Sequence, residues 1–404
     1  MRKICFLVFA FSICLANPLQ DAINSANDGD VIELGSGVYQ GNIVITKPIT
    51  IDGKDRKAII RGDGDSDVIK IKSSNVKLLN LTIENSGWSH TTIDSGISCD
   101  SANGVEISNN SLKDTLFGIN FKQCNASKIT NNLVTSKPVD LGLRGDAIRL
   151  WYSHDNLVEN NHIYKSRDMV VWYSSNNIIR KNYGEYGRYS LHFMYAGKNL
   201  VEENIFKYNS VGIFFMFSSG SLVRNNQVLS STGAFGVGIG MKDTSDFVIE
   251  NNILSYNARG LYLDQSPFQP ETINKFTNNQ ILYNTVGIQF HATQHKSIFL
   301  ENDFIGNMEV AINDTPGSKI AKNEWNKNYF DDYEGFDRNK DGIGDIEYKS
   351  FAYLDSLWQY YPNLRFFYGS PSMSILNFIA RLAPFSEPEL LITDPNPKME
   401  PHYE

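Results

Sequence analysis

A doublet ending in asparagine returns along the chain, with its second residue at Asn110, Asn132, Asn161, Asn182, Asn204, Asn226, Asn252, Asn279, Asn302 and Asn323. Five of the nine intervals are 21 or 22 residues. Three residues before each Asn stands an apolar residue, from Ile107, Ile129 and Val158 through to Phe299 and Ile320, and two residues after it stands another, with Gly184 the one exception. A second alternating segment follows in each period: GINF (118–121), AIRL (147–150), MVVW (169–172), SLHF (190–193), GIFF (212–215), GIGM (238–241), GLYL (260–263) and GIQF (287–290). Alternation of this kind marks a strand with one buried face. A repeat of about 22 residues cannot bury its own apolar face, so successive coils must stack into a common core. The predicted fold is all-β, a right-handed parallel β-helix. Asn suits its corners because it tolerates a left-handed backbone, and stacked Asn side chains hydrogen-bond along the axis.

An open end of such a solenoid would recruit other strands, so it has to be capped. Leu19, Ala22, Ile23 and Ala26 stand at helical spacing just before GDVIEL opens the first strand, which predicts an N-terminal capping helix. Ahead of it, Met1-Arg2-Lys3 leads into an apolar run from Ile4 to Leu15 and then Ala16, the pattern of a signal peptide cut after Ala16. The expected organisation is a signal peptide (1–16), a β-helix domain (17–347) and a C-terminal segment (348–404). In that last segment Ser372 precedes a short helix carrying Ile375, Leu376, Ile379 and Leu382 on one side, and a Pro-rich tail follows. The tail reads as an extended segment lying along a partner. Its candidate docking residues are Ile375, Ile379, Leu382, Pro384, Phe385, Leu390 and Leu391.

Net charge is −8 and no block of Lys or Arg occurs, which argues against nucleic acid or an anionic membrane surface as a partner. Cys99 and Cys124, the cysteines that would remain after cleavage, lie in no CxxC or zinc-type cluster. They read as packing residues, with a disulfide as the alternative.

With Ile148/Leu150, Val170/Trp172, Leu191/Phe193 and Ile213/Phe215 taken as inner, the outer residues are Arg149/Trp151, Val171/Tyr173, His192/Met194 and Phe214/Met216. Trp151, Tyr173, Met194 and Met216 then form one column, since 22, 21 and 22 residues separate them. Two readings stay open. The aromatic column of Trp151, Tyr173 and Phe214 is the kind of apolar patch that another element or a partner covers. His192, Met194 and Met216 also offer imidazole and thioether, ligands that suit Cu(I). Asp337, Asn339, Asp341, Gly342 and Asp345 reproduce the start of a calcium loop, but Tyr348 stands where the closing Glu belongs, so a Ca²⁺ site competes with a plain Asp/Gly-rich turn. Asp146, Arg149, Asp243 and Asp264 fall on different columns and make no carboxylate pair for sugar chemistry. His291 and His295 read as surface polar residues.

The segments GDAIRLWYS (145–153), MVVWYS (169–174), GRYSLHFMYA (187–196), DDYEGFDRNKDGIGD (331–345) and RLAPFSEPELLITDPNPKME (381–400) resemble the NosD family, periplasmic maturation proteins of nitrous oxide reductase. The likeness runs along nearly all of the mature chain. It implies a non-enzymatic, periplasmic accessory role with an ABC transporter, made of a permease and an ATPase, in supplying copper for the copper–sulfide centre of the reductase. A copper chaperone lipoprotein is the implied donor, and the C-terminal helix and tail would dock on the permease, the chain's only tie to the membrane. The rival expectation is a carbohydrate-active β-helix: a polysaccharide lyase, an epimerase or a glycan binder.

Overall fold

The structure is a computed structural model and describes residues 3–6, 17–352, 361–367, 370–382 and 388–402. The chain divides into two compact units, Met1–Asn209 and Ser210–Glu404, and in each of them three parallel sheets form the walls of a β-solenoid.

In the first unit, helix α1 (Pro18–Ser25) covers the N-terminal end as expected. Asn17 caps it, its Oδ1 accepting from the backbone N–H of Leu19 and Gln20, both at 3.2 Å, while Leu19 and Ile23 are buried beneath it. Lys3–Phe6, within the segment read as a leader, pairs in parallel with Val31–Leu34. The first wall of this unit runs on from Val31–Leu34 to Leu200–Glu202, the second from Gly37–Gln40 to Ile205–Lys207, and the third from Ile43–Ile45 to Tyr189–Met194. The apolar residue three before each ladder Asn is the inward residue of the first wall. Ile107, Ile129, Val158, Ile179 and Val201 pair in register, and none is more than 1% exposed. Gly184 breaks the second wall's pattern for a steric reason: it pairs with Phe206, and a Cβ there would stand 2.9 Å from the Phe206 ring.

The corner asparagines hold the coils together. The backbone N–H and Nδ2 of Asn110 both donate to Asn132 Oδ1, at 2.9 and 3.1 Å, and the same pair of bonds links Asn132 to Asn161, Asn161 to Asn182 and Asn182 to Asn204. The left-handed residue is the one before each ladder Asn, and at φ 54° and 56° it is Lys181 and Glu203. Turn conformation alone therefore does not select Asn here. What selects it is a side chain with both a donor and an acceptor in a buried corner, where an unpaired polar group is costly.

In the second unit a like ladder runs from Asn226 through Asn252, Asn279 and Asn302. Its next member is Asn328, whose Oδ1 accepts from Asn302 Nδ2 at 2.9 Å, rather than the expected Asn323. Asn323 sits after a tight turn at Ile320–Lys322 and accepts from Ser297 N–H at another corner. The core here is aromatic: Phe299 stacks on Phe276 at 4.8 Å and on Trp325 at 4.0 Å, and Phe330 stacks on Tyr348 at 3.8 Å.

The tail departs from expectation. Glu389–Asp394 pairs antiparallel with Tyr348–Ala352, Leu391 and Ile392 are 2% and 1% exposed, and Asp394 Oδ2 accepts from Asn328 N–H and Nδ2 at 2.9 and 2.8 Å. Leu391 and the half-buried Leu390 thus belong to the chain's own end cap, because the last ladder Asn needs an acceptor and the last coil needs a cover. Between these strands in sequence lies helix α2 (Pro371–Leu382). It buries Met373 and Ala380 and exposes Ile375, Ile379 and Leu382 by 59%, 42% and 71%. Pro384 and Phe385 lie outside the described residues.

Candidate functional site

The third wall of the first unit carries the unusual side chains, and the register shows which of them face outward. Ile148, Arg149, Leu150 and Trp151 pair with Met169, Val170, Val171 and Trp172, and Val170, Val171 and Trp172 pair with His192, Phe193 and Met194. Alternation puts Leu150, Val171 and Phe193 inside, so Trp172 faces out between Trp151 and Met194. The expected phase of this coil, with Val170 and Trp172 inner, is one residue off. MVVW is apolar at all four positions and carries no alternation to fix it, and the pairing shifts register between Asp168 and Val170.

Tyr173 consequently leaves the column. It takes a left-handed backbone at φ 52°, and its ring stacks between those of Tyr152 at 4.8 Å and Tyr195 at 5.1 Å. The wall therefore has two outward columns, Arg149–Val170–His192 and Trp151–Trp172–Met194, beside a tyrosine ladder. Trp151 and Trp172 lie 5.7 Å apart.

His192 faces away from the core yet is only 6% exposed. The Tyr189 ring stacks on it at 4.7 Å, and the Trp172 ring lies 5.7 Å away and perpendicular to it at 90°. Burial pushes the imidazole down to about 4, so it is neutral near neutral pH and keeps a lone pair for a metal. Met194 is half-buried two residues along on the same face. Arg188 holds the cover in place: its Nε donates to Asp168 Oδ1 at 3.0 Å, and Tyr189 N–H donates to the same oxygen. Arg167 binds Asp146 through Nε and Nη2 at 3.1 and 2.9 Å. Burial pushes Asp146 up to about 6, against the pull of Arg167. Arg149 is 9% exposed, donates to Asn120 Oδ1 at 3.0 Å, and lies 4.5 Å from the Trp151 ring centroid.

The second unit carries the other sequence candidates. Phe214, expected on an open wall, is 8% exposed. It pairs with Gly240, where a Cβ would stand 2.3 Å from the phenyl ring, so the glycine leaves room for the ring to lie flat. Met216 is half-buried and pairs with Lys242. Lys242 donates to Asp264 at 3.0 Å. One polar group here escaped the sequence reading. His291 Nδ1 lies 2.6 Å from Asp314 Oδ1, and Asp314 Oδ2 accepts from Gln289 Nε2 at 2.6 Å. The usable signal was alternation within GIQFH, which turns Gln289 and His291 to the same side. The Asp314 hydrogen bond, opposed by burial, raises the His291 pKa above 6.5. We expect an NMR titration to place His291 above that value and Asp314→Asn to lower it. The pair's stabilisation is complete below the unfolded value and disappears as pH rises through the folded one. A His291 titrating at or below 6.5 would contradict this arrangement.

In the loop of Asp337–Asp345, Asp337 accepts from the backbone N–H groups of Lys340, Asp341 and Gly342, Asp341 from Ile343 and Asp345 from Arg338. Asn339 Nδ2 donates to Asp341 at 2.9 Å. The carboxylates act as turn caps, and among the described residues no group of three or more His, Cys, Asp or Glu is placed to hold a metal. A metal reading rests on the imidazole and thioether of the first unit. Cys99 and Cys124 are both free and buried, and the Cys124 thiol donates to the Lys122 carbonyl at 3.3 Å.

Residues 130–335, half of the chain, match a family model described as periplasmic copper-binding protein (NosD). The chain belongs to the NosD family. A second model, right handed beta helix region, matches residues 60–188. Among curated NosD relatives, one from Pseudomonas aeruginosa named "Probable ABC transporter binding protein NosD" is 30% identical over 405 residues, covering 94% of this chain and 90% of its own. Its namesake from Stutzerimonas stutzeri is 27% identical over 372 residues, covering 87% and 83%. Solved structures share the fold: the A-module of mannuronan C-5 epimerase AlgE6 from Azotobacter vinelandii has a TM-score of 0.54 at 14% identity, over 76% of this chain and 93% of that one. A family 28 exopolygalacturonase from Yersinia enterocolitica also scores 0.54, at 12% identity, over 77% and 74%. At such identities the likeness of this NosD chain to sugar-active enzymes is one of architecture.

Proposed function

We propose that this NosD-family chain is an exported, periplasmic accessory protein of nitrous oxide reductase maturation, without enzymatic activity of its own. It takes Cu(I) from a copper chaperone lipoprotein and passes it toward the copper–sulfide centre. It works with an ABC transporter, permease and ATPase, through helix α2. The family description and the relatives' names support the copper and transporter parts of this reading. The observation that carries it is the wall of the first unit, where His192 and Met194 leave one strand on the same side under an aromatic cover.

The chemistry suits a soft monovalent cargo. Thioether and neutral imidazole favour Cu(I) over hard cations, and the nearest buried carboxylates, Asp146 and Asp168, are committed to Arg167 and Arg188. No helix among the described residues is long and apolar enough to cross a membrane, so a tie to the transporter falls to a docking surface.

The test is an anaerobic Cu(I) titration against a competing chelator. We expect one ion to bind, and His192→Gln with Met194→Leu to weaken it by roughly a hundredfold or more, since outer-sphere changes alone cost ten- to a hundredfold. Met216→Leu, made separately, reads the expectation from the 22-residue spacing. Unchanged affinity in the double variant, or cleavage or epimerisation of uronate polymers by the wild type, would overturn the reading.

A further inference from the structure

We infer that Trp172 belongs to the copper-handling surface, its indole being the face against which a Cu(I) ion held by His192 and Met194 rests. This assignment depends on the Cu(I) reading of the first unit.

Trp172 is the in-register neighbour of Met194 on the adjacent coil and its ring lies 5.7 Å from that of His192, the two perpendicular, so one indole adjoins both donors. The buried Nε1–H of Trp172 has no hydrogen-bond partner among the described residues. Packing against Trp151 and His192, not a polar tether, sets the ring. This pair of indoles already faces a cation. The Arg149 guanidinium lies 4.5 Å from the Trp151 centroid and 5.9 Å from that of Trp172. A ring quadrupole that attracts guanidinium attracts a metal monocation in the same way, and more strongly where water is excluded.

These features suit Cu(I) in particular. The first unit supplies two soft donors, and an aromatic face closes the open side of such an ion without adding a charged or hard ligand. Arg149 limits the charge that the wall accepts, because its repulsion of a divalent ion is twice that of a monovalent one. The wall thus favours Cu(I) over Cu(II) by ligand softness and by charge together.

The experiment uses the exported full chain, Cu(I) alone as probe, and two readouts: affinity by chelator competition and tryptophan emission. Wild type should lose part of its emission on saturation. Trp172→Leu should abolish that change and weaken binding about tenfold, the scale of a desolvated cation–π contact. Trp172→Phe keeps an aromatic face, so it should lose the emission change while staying within about threefold of wild-type affinity. Trp151→Phe should retain both. If Trp172→Leu folds poorly by circular dichroism, the emission of Trp172→Phe still decides the matter. An emission change that persists in Trp172→Phe, or wild-type affinity in a folded Trp172→Leu, overturns the assignment while leaving the His192/Met194 reading in place. No Cu(I) binding by wild type, or binding indifferent to His192 and Met194, removes both.

Discussion

A chain cut after residue 387 loses the end of its second unit, with the urea midpoint falling by the equivalent of about 5 kcal/mol or more. Leu391 and Ile392 are 2% and 1% exposed, and burying each contributes about 1.5–3 kcal/mol. Phe330 and Tyr348, stacked at 3.8 Å beside the missing strand, become accessible as well. A single substitution isolates the ladder's share. Asp394→Ala leaves the Asn328 N–H and Nδ2 without their 2.9 and 2.8 Å acceptor inside a closed cap, where two unsatisfied donors cost about 2–4 kcal/mol. Asp394→Asn keeps one oxygen for Asn328 and turns its amide toward the exposed Asn396 N–H, so about 1 kcal/mol is expected to go. Equal midpoints for the Ala variant and wild type, by far-UV circular dichroism in urea, would show that the tail is not the cap described above.

The coils themselves were legible because the periodic residues are local in sequence. The apolar residues flanking each doublet lie within five residues of each other, one on each of two walls, and the buried values of Ile107 and Leu112 follow from that spacing. Gly184 looked like an exception and proved to be the complement of Phe206 on the next coil. Three features were hidden for separate physical reasons. MVVW has no polar residue to set its phase, so Trp172 and Tyr173 exchanged roles. The cover over His192 depends on Tyr189, which Arg188 and Asp168 position through contacts between coils. The end of the ladder is settled by Asp394, 66 residues beyond Asn328, a separation that no periodicity bridges. A tail rich in Pro and acidic residues looks unfolded until the buried carboxylate of Asp394 is set against the last asparagine of the ladder.

That division of the C-terminal segment changes what a docking experiment must remove. Deleting everything after residue 370 would unfold the cap along with the helix, so loss of a partner would say little. Ile375→Ser, Ile379→Ser and Leu382→Ser together leave the cap intact. These positions stand four and seven residues apart on one face of α2 and are 59%, 42% and 71% exposed, so the free protein should keep its urea midpoint. Five of the twelve residues of α2 are large exposed apolar side chains, Leu376 and Phe378 included, a density that marks an interaction surface. If α2 is the element that meets the permease, losing three side chains worth about 1.5 kcal/mol or more each on burial weakens capture about a thousandfold. The transporter then drops out of co-purification from membranes. Undiminished capture by the folded triple variant would move the docking surface elsewhere on the chain. Loss of binding to protein-free lipid vesicles by the same variant would assign the helix to the bilayer instead of the permease.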